Sequence, residues 1–464
     1  MVLASGLERI VSAVYDVVWS PVLVGLLIFA GLYFTFRTRC VQVRRIGRMA
    51  KLLNPRNFPS SGNGVSSFEA FCMALSGRVG TGNIVGVATA IALGGPGAVF
   101  WMWVIAFFGA STAFVESTLA QIYKFKHQSG WRGGPFSYIN DGLKSRWLGA
   151  IFAIAVILGY GLFLTTVQAN GVSSALNNSF HLSPWISGIA LAFVLALVVV
   201  GGIKRISKVA AVVTPFMAIG YLLISLVVIA VHWRDLPATF SSIFSNAFGI
   251  NPLCGGIIGS TIMMGVKRGL FSNEAGQGGG AIVSAAADVK HPAQQGLVQA
   301  FSVYIDTLLV CTATALMILS SGTFNVLDAS TGEMLYAGAP QLGDNYVSFT
   351  QSAVDSVFAG FGSMFVSIAL VFFVFTTVMA YYFYSDSSII YLCNVFHIKN
   401  ERILRGVFQL LLLAATVFGA VKETNLVWQL GDIGVGMLAW INVIVILILC
   451  PKAIEALKDY EKTL

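Results

Sequence analysis

The chain has 464 residues, of which 56% are apolar and 10% charged, and its formal net charge is +8. An ordinary soluble domain is about 25% charged, so a set of soluble domains, a secreted module and a disordered regulator are all excluded, and the chain reads as a membrane protein. A helical crossing takes about 20 apolar residues, which leaves room for on the order of ten spans.

The only charged residues ahead of the first apolar run are Glu8 and Arg9. The basic region and small-residue cleavage site of a secretory signal are missing, so 16–36 is expected to remain as a membrane helix. A basic stretch, 37–68, follows. The next spans are 69–93, interrupted by glycines and polar residues, then 98–121, 148–173, 184–201 and 209–231. A second interrupted segment, 252–285, precedes 295–319, 361–384, 403–421 and 430–450, which makes eleven. Of the 28 Lys and Arg residues, 22 fall in the connections 37–68, 122–147, 202–208, 286–294 and 385–405 and in the tail after 450. Arg9, Arg234 and Lys422 fall on the other side, and Arg78, Lys267 and Arg268 lie within spans. Basic residues accumulate on the cytoplasmic side. The C-terminus is therefore expected in the cytoplasm, the N-terminus outside, and the acidic loop 320–351, with Asp328, Glu333 and Asp344, outside as well. The expected location is a cell membrane, of the bacterial or archaeal inner-membrane kind.

Setting the first span aside leaves five spans in 69–231 and five in 252–450. Residues 1–68 then form a leading helix with a basic cytoplasmic segment, 232–251 an extracytoplasmic connection, and 451–464 a cytoplasmic tail. Each half opens with its interrupted segment and starts from the opposite side of the membrane, the pattern of an inverted repeat. The expected fold is an all-α integral membrane protein of about 11 transmembrane helices: one leading helix plus a 5+5 inverted repeat with two broken helices. Unwound backbone at mid-membrane is tolerated only where it lines a cavity or holds a ligand, so the two breaks mark a binding site. The first is SGRVGTGNIVG, Ser76 to Gly86, where Gly77, Gly80 and Gly82 each lower helix stability by about 1 kcal/mol relative to alanine. Gly82 and Gly86 also fit a GxxxG packing surface, which can coexist with a break. A nucleotide-binding reading lacks the preceding strand and the acidic ribose ligand. The second break, KRGLFSNEAGQGGG from Lys267 to Gly280, puts two cations, a carboxylate and five glycines inside one apolar span.

Four stretches occur in order: GTGNIVGVATAIALGGPGAVFWMWV (80–104), GGPFSYI (133–139), RGLFSNEAGQG followed by ADVKHPAQQGLVQAF (268–301), and GDIGVGMLAWIN (431–442). From about residue 65 onward the chain thereby resembles the alanine or glycine:cation symporters. The resemblance implies the leucine-transporter type of fold with one extra helix in front. It also implies symport of a small neutral amino acid by alternating access, with Na+ or, less often, H+ as the coupling ion. No enzymatic activity, organic cofactor or nucleic-acid partner is expected, and lipid surrounds the chain.

Within that resemblance, an amino acid zwitterion needs compensation for both charges. The half-helix that begins at Thr81, Gly82 and Asn83 offers N–H groups and a partial positive charge to the carboxylate. Carbonyls around Phe271, Ser272 and Asn273 would accept from the ammonium, together with Gln168, which on its own could equally bind helix to helix. For sodium, the family fold implies the carbonyls of Ser76 and Val79 facing the hydroxyls of Thr376 and Thr377, although adjacent threonines often bond their own i−4 carbonyls. One departure stands out. The stretch TTVMAYYFYSDSS has Ala380 and Tyr381 where many alanine-transporting members carry glycine and tryptophan, and Ser385 and Asp386 in place of Gly-Glu. Tyr381 falls one turn beyond the threonines on the same face. The pocket is then expected to be larger and more polar, admitting serine or glutamine beside alanine or glycine; the alternative is that Tyr381 faces a neighbouring helix.

Glu116, Asp306 and Asp432 lie in or at the ends of spans, where charge is usually paired or functional. Pairing with Arg78 and Arg268 is the preferred expectation, and proton coupling the other. Cys40, Cys72, Cys254, Cys311, Cys393 and Cys450 form no C-x-x-C pair and read as packing residues. The five histidines lie in loops or at span ends, which disfavours haem or an intramembrane metal. A channel would need symmetric subunits around one filter, and a membrane enzyme a nucleotide loop or catalytic dyad; two unlike breaks fit neither.

Overall fold

The computed structural model describes residues 2–54, 65–199, 201–249, 258–328 and 331–463. Within them, named strands form two short antiparallel hairpins, Phe125–His127 with Gly130–Arg132 and Asn325–Leu327 with Met334–Ala337. Nearly all the remainder is helix. Eight helices are long and apolar enough to cross a membrane: Glu8–Arg37, Gly97–Ile122, Arg146–Phe180, Gly202–Val231, Pro292–Ser321, Gly362–Phe396, Glu401–Val421 and Thr424–Lys462. Three of the eleven expected spans fall short of that length. The span 184–201 forms the 16-residue helix Pro184–Val199, and the two glycine-interrupted spans are divided. Residues 252–257 of the second interrupted span, Arg56 and Cys254 lie outside the described residues.

Helix Gly202–Val231 shows how lipid selects a face. Val212, Phe216, Ile219, Leu223 and Leu226 recur every three or four residues and are exposed, whereas Thr214, Tyr221 and Ser225 are buried. With hydrocarbon as the solvent, the polar groups are the ones that gain by turning inward to partners. Tyr221 and Thr314 share a hydrogen bond of 2.7 Å.

The first broken helix starts at a capping box. Ser66 Oγ accepts from the Glu69 amide at 3.1 Å and the Glu69 carboxylate accepts from the Ser66 amide at 2.7 Å, satisfying two amides that a helix start leaves unpaired. The helix runs Ser67–Arg78, opens at Val79 and Gly80, and resumes through a π-helical turn, Gly82–Gly86, into Val87–Gly94. The second runs Ile258–Asn273, opens over Glu274 to Gly278, and resumes as Gly279–Ala286. Gly276 and Gly278 hold φ of +88° and +92° there, a region that glycine enters without steric cost. Side chains close the gap: Asn273 Oδ1 accepts from the Ala275 amide at 3.0 Å, and the Gln277 amide group donates to the Leu270 carbonyl at 2.6 Å.

Several boundaries differ from expectation. The stretch Glu8–Arg37, counted above as one crossing, is interrupted between Val2–Val18 and Pro21–Arg37, because Pro21 has no N–H with which to continue the first. The span expected at 361–384 continues to Phe396, and 430–450 lies within Thr424–Lys462. Connections taken as plain loops contain the helices Pro135–Gly142, Leu236–Ala247 and Tyr346–Asp355.

Candidate functional site

The two breaks meet inside the bundle. A Cβ built on Gly82 would lie 3.1 Å from the Phe271 ring and 3.3 Å from the Ser272 Cα, so the first break runs directly against the second. At Gly80 the fit is tighter still, with Gln168 Oε1 at 2.6 Å and Thr377 Oγ1 at 2.8 Å from the position of a Cβ. Only glycine brings backbone that close to both groups.

On one side of Gly80 lies Gln168, buried on helix Arg146–Phe180. Its Oε1 accepts from the Thr81 amide at 3.0 Å and from the Thr81 hydroxyl at 3.1 Å. Its amide nitrogen reaches the Tyr381 hydroxyl at 3.4 Å. Tyr381 is buried and packs on Tyr160, with ring centroids 5.1 Å apart. Gln168, Thr81 and Tyr381 are thus brought into one connected group beside the first break.

On the other side is Thr377. Its Oγ1 lies 2.8 Å from the Ser76 carbonyl oxygen, 3.1 Å from that of Val79 and 2.8 Å from that of Phe373. Three carbonyls converge on one hydroxyl, which has a single proton to give, so the cluster is rich in oxygen lone pairs. Hard cations such as sodium take such ligands. Thr376 is separated from this cluster: its hydroxyl donates to its own helix at Phe373 and Phe372, 2.9 and 3.2 Å away, and lies 3.6 Å from Met217 Sδ. The helix rotation that presents one threonine to the break turns the other aside. Phe373 contributes a carbonyl that no sequence signal could single out, since every residue carries one.

Asn83 and Ser272, whose backbone groups are the ones expected to meet the substrate, direct their side chains to Asp306. The Asn83 amide donates to Asp306 Oδ1 at 2.7 Å, Ser272 Oγ to its two oxygens at 3.1 and 2.9 Å, and Thr307 Oγ1 to Oδ2 at 2.7 Å. What these positions leave toward the breaks is backbone. The side-chain Nδ2 of Asn273 has no partner among the described residues.

Phe271 packs against Trp428, with ring centroids 5.3 Å apart and the planes tilted by 32°. Trp428 also lines a cavity of about 770 Å³, together with Tyr15, Asn170, Lys267, Arg268 and Asp432, among others. Arg268 donates to both oxygens of Asp432, at 3.0 and 2.7 Å, while its guanidinium lies 4.6 Å over the Trp428 ring. Lys267 stands 3.8 Å from the same carboxylate. The expected ion pairing is met at Asp432 alone of the three acids. Glu116 takes its hydrogen bond from Asn442 at 2.9 Å, Asp306 takes its bonds from the neutral donors above, and Arg78 bonds the Gln299 carbonyl at 3.3 Å and the Ser302 hydroxyl.

Comparison with known proteins bears on what this arrangement serves. The model of the sodium:alanine symporter family matches residues 4–464. The putative sodium/proton-dependent alanine carrier YrbD of Bacillus subtilis is 49% identical over 97% of this chain and 92% of its own length. The probable sodium/glutamine symporter GlnT of the same organism is 40% identical over 98% and 91%. The sodium/alanine symporter AgcS of Methanococcus maripaludis is 36% identical over 98% and 97%. Among solved structures, a substrate-bound, outward-open Na+-coupled sialic acid symporter superimposes with a TM-score of 0.52 at 10% identity, covering 88% of this chain and 80% of that one. A manganese transporter of Eremococcus coleocola gives 0.52 at 12% identity, over 86% and 90%. At such identities the likeness is one of fold.

Proposed function

The chain belongs to the sodium:alanine symporter family, and from that premise we propose that it couples the inward movement of sodium to uptake of a small neutral amino acid by alternating access. The observation that carries this reading is the meeting of Thr377 Oγ1 with the carbonyl oxygens of Ser76 and Val79 at 2.8 and 3.1 Å. Sodium at that cluster would tie the first broken helix to helix Gly362–Phe396. Gly80, between this cluster and Gln168, makes the cation and substrate positions immediate neighbours.

In this reading the substrate carboxylate takes the N–H groups at Gly82 and Asn83, the positive end of the resumed helix. The ammonium takes carbonyls of Phe271 to Asn273 and Gln168 Oε1. Alanine and glycine are the first substrates. The sodium/glutamine relative and the polar Tyr381 hydroxyl favour serine and glutamine as further ones. Trp428, Arg268 and Asp432 line the cavity through which substrate would enter from outside. Residues 69–231 and 252–450 act as two five-helix repeats of opposite topology, with the N-terminus outside and the C-terminus in the cytoplasm. One sodium ion crossing 100 mV supplies about 2.3 kcal/mol, roughly a fiftyfold concentration ratio for a coupled substrate.

Uptake of labelled alanine, glycine, serine and glutamine into proteoliposomes after a sodium jump tests the reading. Accumulation above the external concentration with sodium, and equilibration without it, is the expected result. Equilibration under both conditions would mean a passive pathway instead.

A further inference from the structure

At and around the second break, Glu274, Glu116 and Asp306 are all buried, and Arg78 is within electrostatic reach of each. Arg78 touches none of them in an ion pair; its contacts are to Gln299 and Ser302. Three acids therefore share one guanidinium. A single sodium ion at the Thr377 cluster would still leave one negative charge in excess, and a zwitterionic substrate adds none. Uncompensated charge at this depth is costly, so one acid carries a proton.

Hydrogen bonding separates them: Glu116 accepts from the Asn442 amide group at 2.9 Å and has the Gly276 and Gly278 backbone N–H groups turned toward it. An ionised carboxylate only accepts, whereas a protonated one needs fewer donors and can itself donate. Asp306 receives bonds on both oxygens from Asn83, Ser272 and Thr307, between 2.7 and 3.1 Å, the environment of an anion. Glu274 receives one long bond, from the Tyr384 hydroxyl to Oε2 at 3.3 Å, and its Oε1 has no partner among the described residues. Its backbone holds φ +55° in the second break, where a non-glycine residue is strained. The neighbouring glycines let both heads approach the chain: a Cβ on Gly279 would fall 2.7 Å from Glu274 Oε2, and one on Gly280 2.6 Å from Arg78 Nη2.

We propose that Glu274 is a proton-binding site of the transport cycle, protonated while the inner side is closed and releasing its proton inward when that side opens. The inference rests on the symport reading and adds a second ion to it. The groups around Glu274 are Arg78 on the first broken helix, Glu116 on Gly97–Ile122, Asp306 on Pro292–Ser321, Tyr160 on Arg146–Phe180, and Tyr381 and Tyr384 on Gly362–Phe396. The polar atoms Glu116 Oε1, Tyr160 OH, Gln277 Oε1 and Gln299 Nε2 are also unpartnered among the described residues. They provide the hydrogen-bonding surface along which a proton would leave through water once the inner side opens. The step is a transfer of H+ from the outer solution to a carboxylate oxygen and from it to the inner solution, with no redox change.

The test uses the full chain in vesicles holding a pH-indicating dye, with the membrane potential clamped and an inward sodium gradient. Addition of alanine to wild type is expected to acidify the lumen by about one proton per alanine. Glu274→Gln, which mimics the protonated side chain, is expected to lose that acidification while keeping sodium-dependent alanine binding. Tyr384→Phe removes the donor to Glu274 and should shift the half-point of acidification upward by about one pH unit, the order of one hydrogen bond. Acidification that persists in Glu274→Gln, or alanine accumulation by wild type with no acidification, overturns the proposal while leaving symport standing. If wild type neither binds nor accumulates alanine, the symport reading fails and the proposal falls with it.

Discussion

Thr377 and Ser76 stand 301 positions apart in the chain, and the Thr377 hydroxyl lies 2.8 Å from the Ser76 carbonyl oxygen. A side chain of one helix thereby meets a carbonyl in the last turn of another, just before the break, at a place where sodium would replace the hydroxyl proton as the link. Thr377→Val keeps the shape and removes the oxygen. It should raise the sodium concentration for half-maximal alanine uptake by about tenfold or more, the scale of one hydrogen bond to a charged group. Thr376→Val, whose hydroxyl serves its own helix, should change it by less than about threefold. Equal effects in the two variants would remove the basis for choosing between the threonines.

Gly80 and Gly82 make different demands. An alanine methyl at Gly80 would press on both Gln168 and Thr377, whereas at Gly82 it meets only a ring edge and one backbone carbon at 3.1 and 3.3 Å. Gly80→Ala should lose alanine binding and sodium dependence together, and Gly82→Ala should weaken alanine binding alone. Equilibrium binding of labelled alanine across a sodium series separates these patterns.

Tyr381 reaches the site through Gln168. In Tyr381→Trp the hydroxyl is gone and the ring is larger, so serine and glutamine should compete less well against labelled alanine than they do in wild type. An unchanged order of inhibition would place Tyr381 outside the pocket.

Asp432 balances Arg268 directly and Lys267 at 3.8 Å. Asp432→Asn leaves two buried cations without their anion. Breaking one side of such a pair costs about 3–5 kcal/mol, so a clear drop in the melting temperature of the purified protein is expected. Arg268→Met with Asp432→Leu should recover part of that loss.

The breaks were legible because glycines and charges inside apolar spans are a strong compositional signal, and Lys267 to Gly280 carries both. The choice between Thr376 and Thr377 was not: neighbouring residues on a helix point about 100° apart, and helix rotation is set by packing partners elsewhere. Asn83 and Ser272 were expected to offer backbone groups; the turn of their side chains to Asp306 was not legible, because it joins positions 223 and 34 residues apart. The end expected at residue 384 failed for an electrostatic reason. Asp386 reads as a polar stop, yet Arg132 and Arg405 pair with it at 3.3 and 2.5 Å and allow the helix to run on.

The central claim is that sodium and amino acid bind at adjoining sites and stabilise each other. Thermodynamic linkage requires that sodium raise alanine affinity by the same factor as alanine raises sodium affinity. The direct measurement is equilibrium binding of radiolabelled sodium to the purified protein, with and without saturating alanine, beside binding of labelled alanine with and without saturating sodium. Two equal factors of about ten or more are expected, a coupling within the range found between linked sites. Sodium binding indifferent to alanine would contradict it.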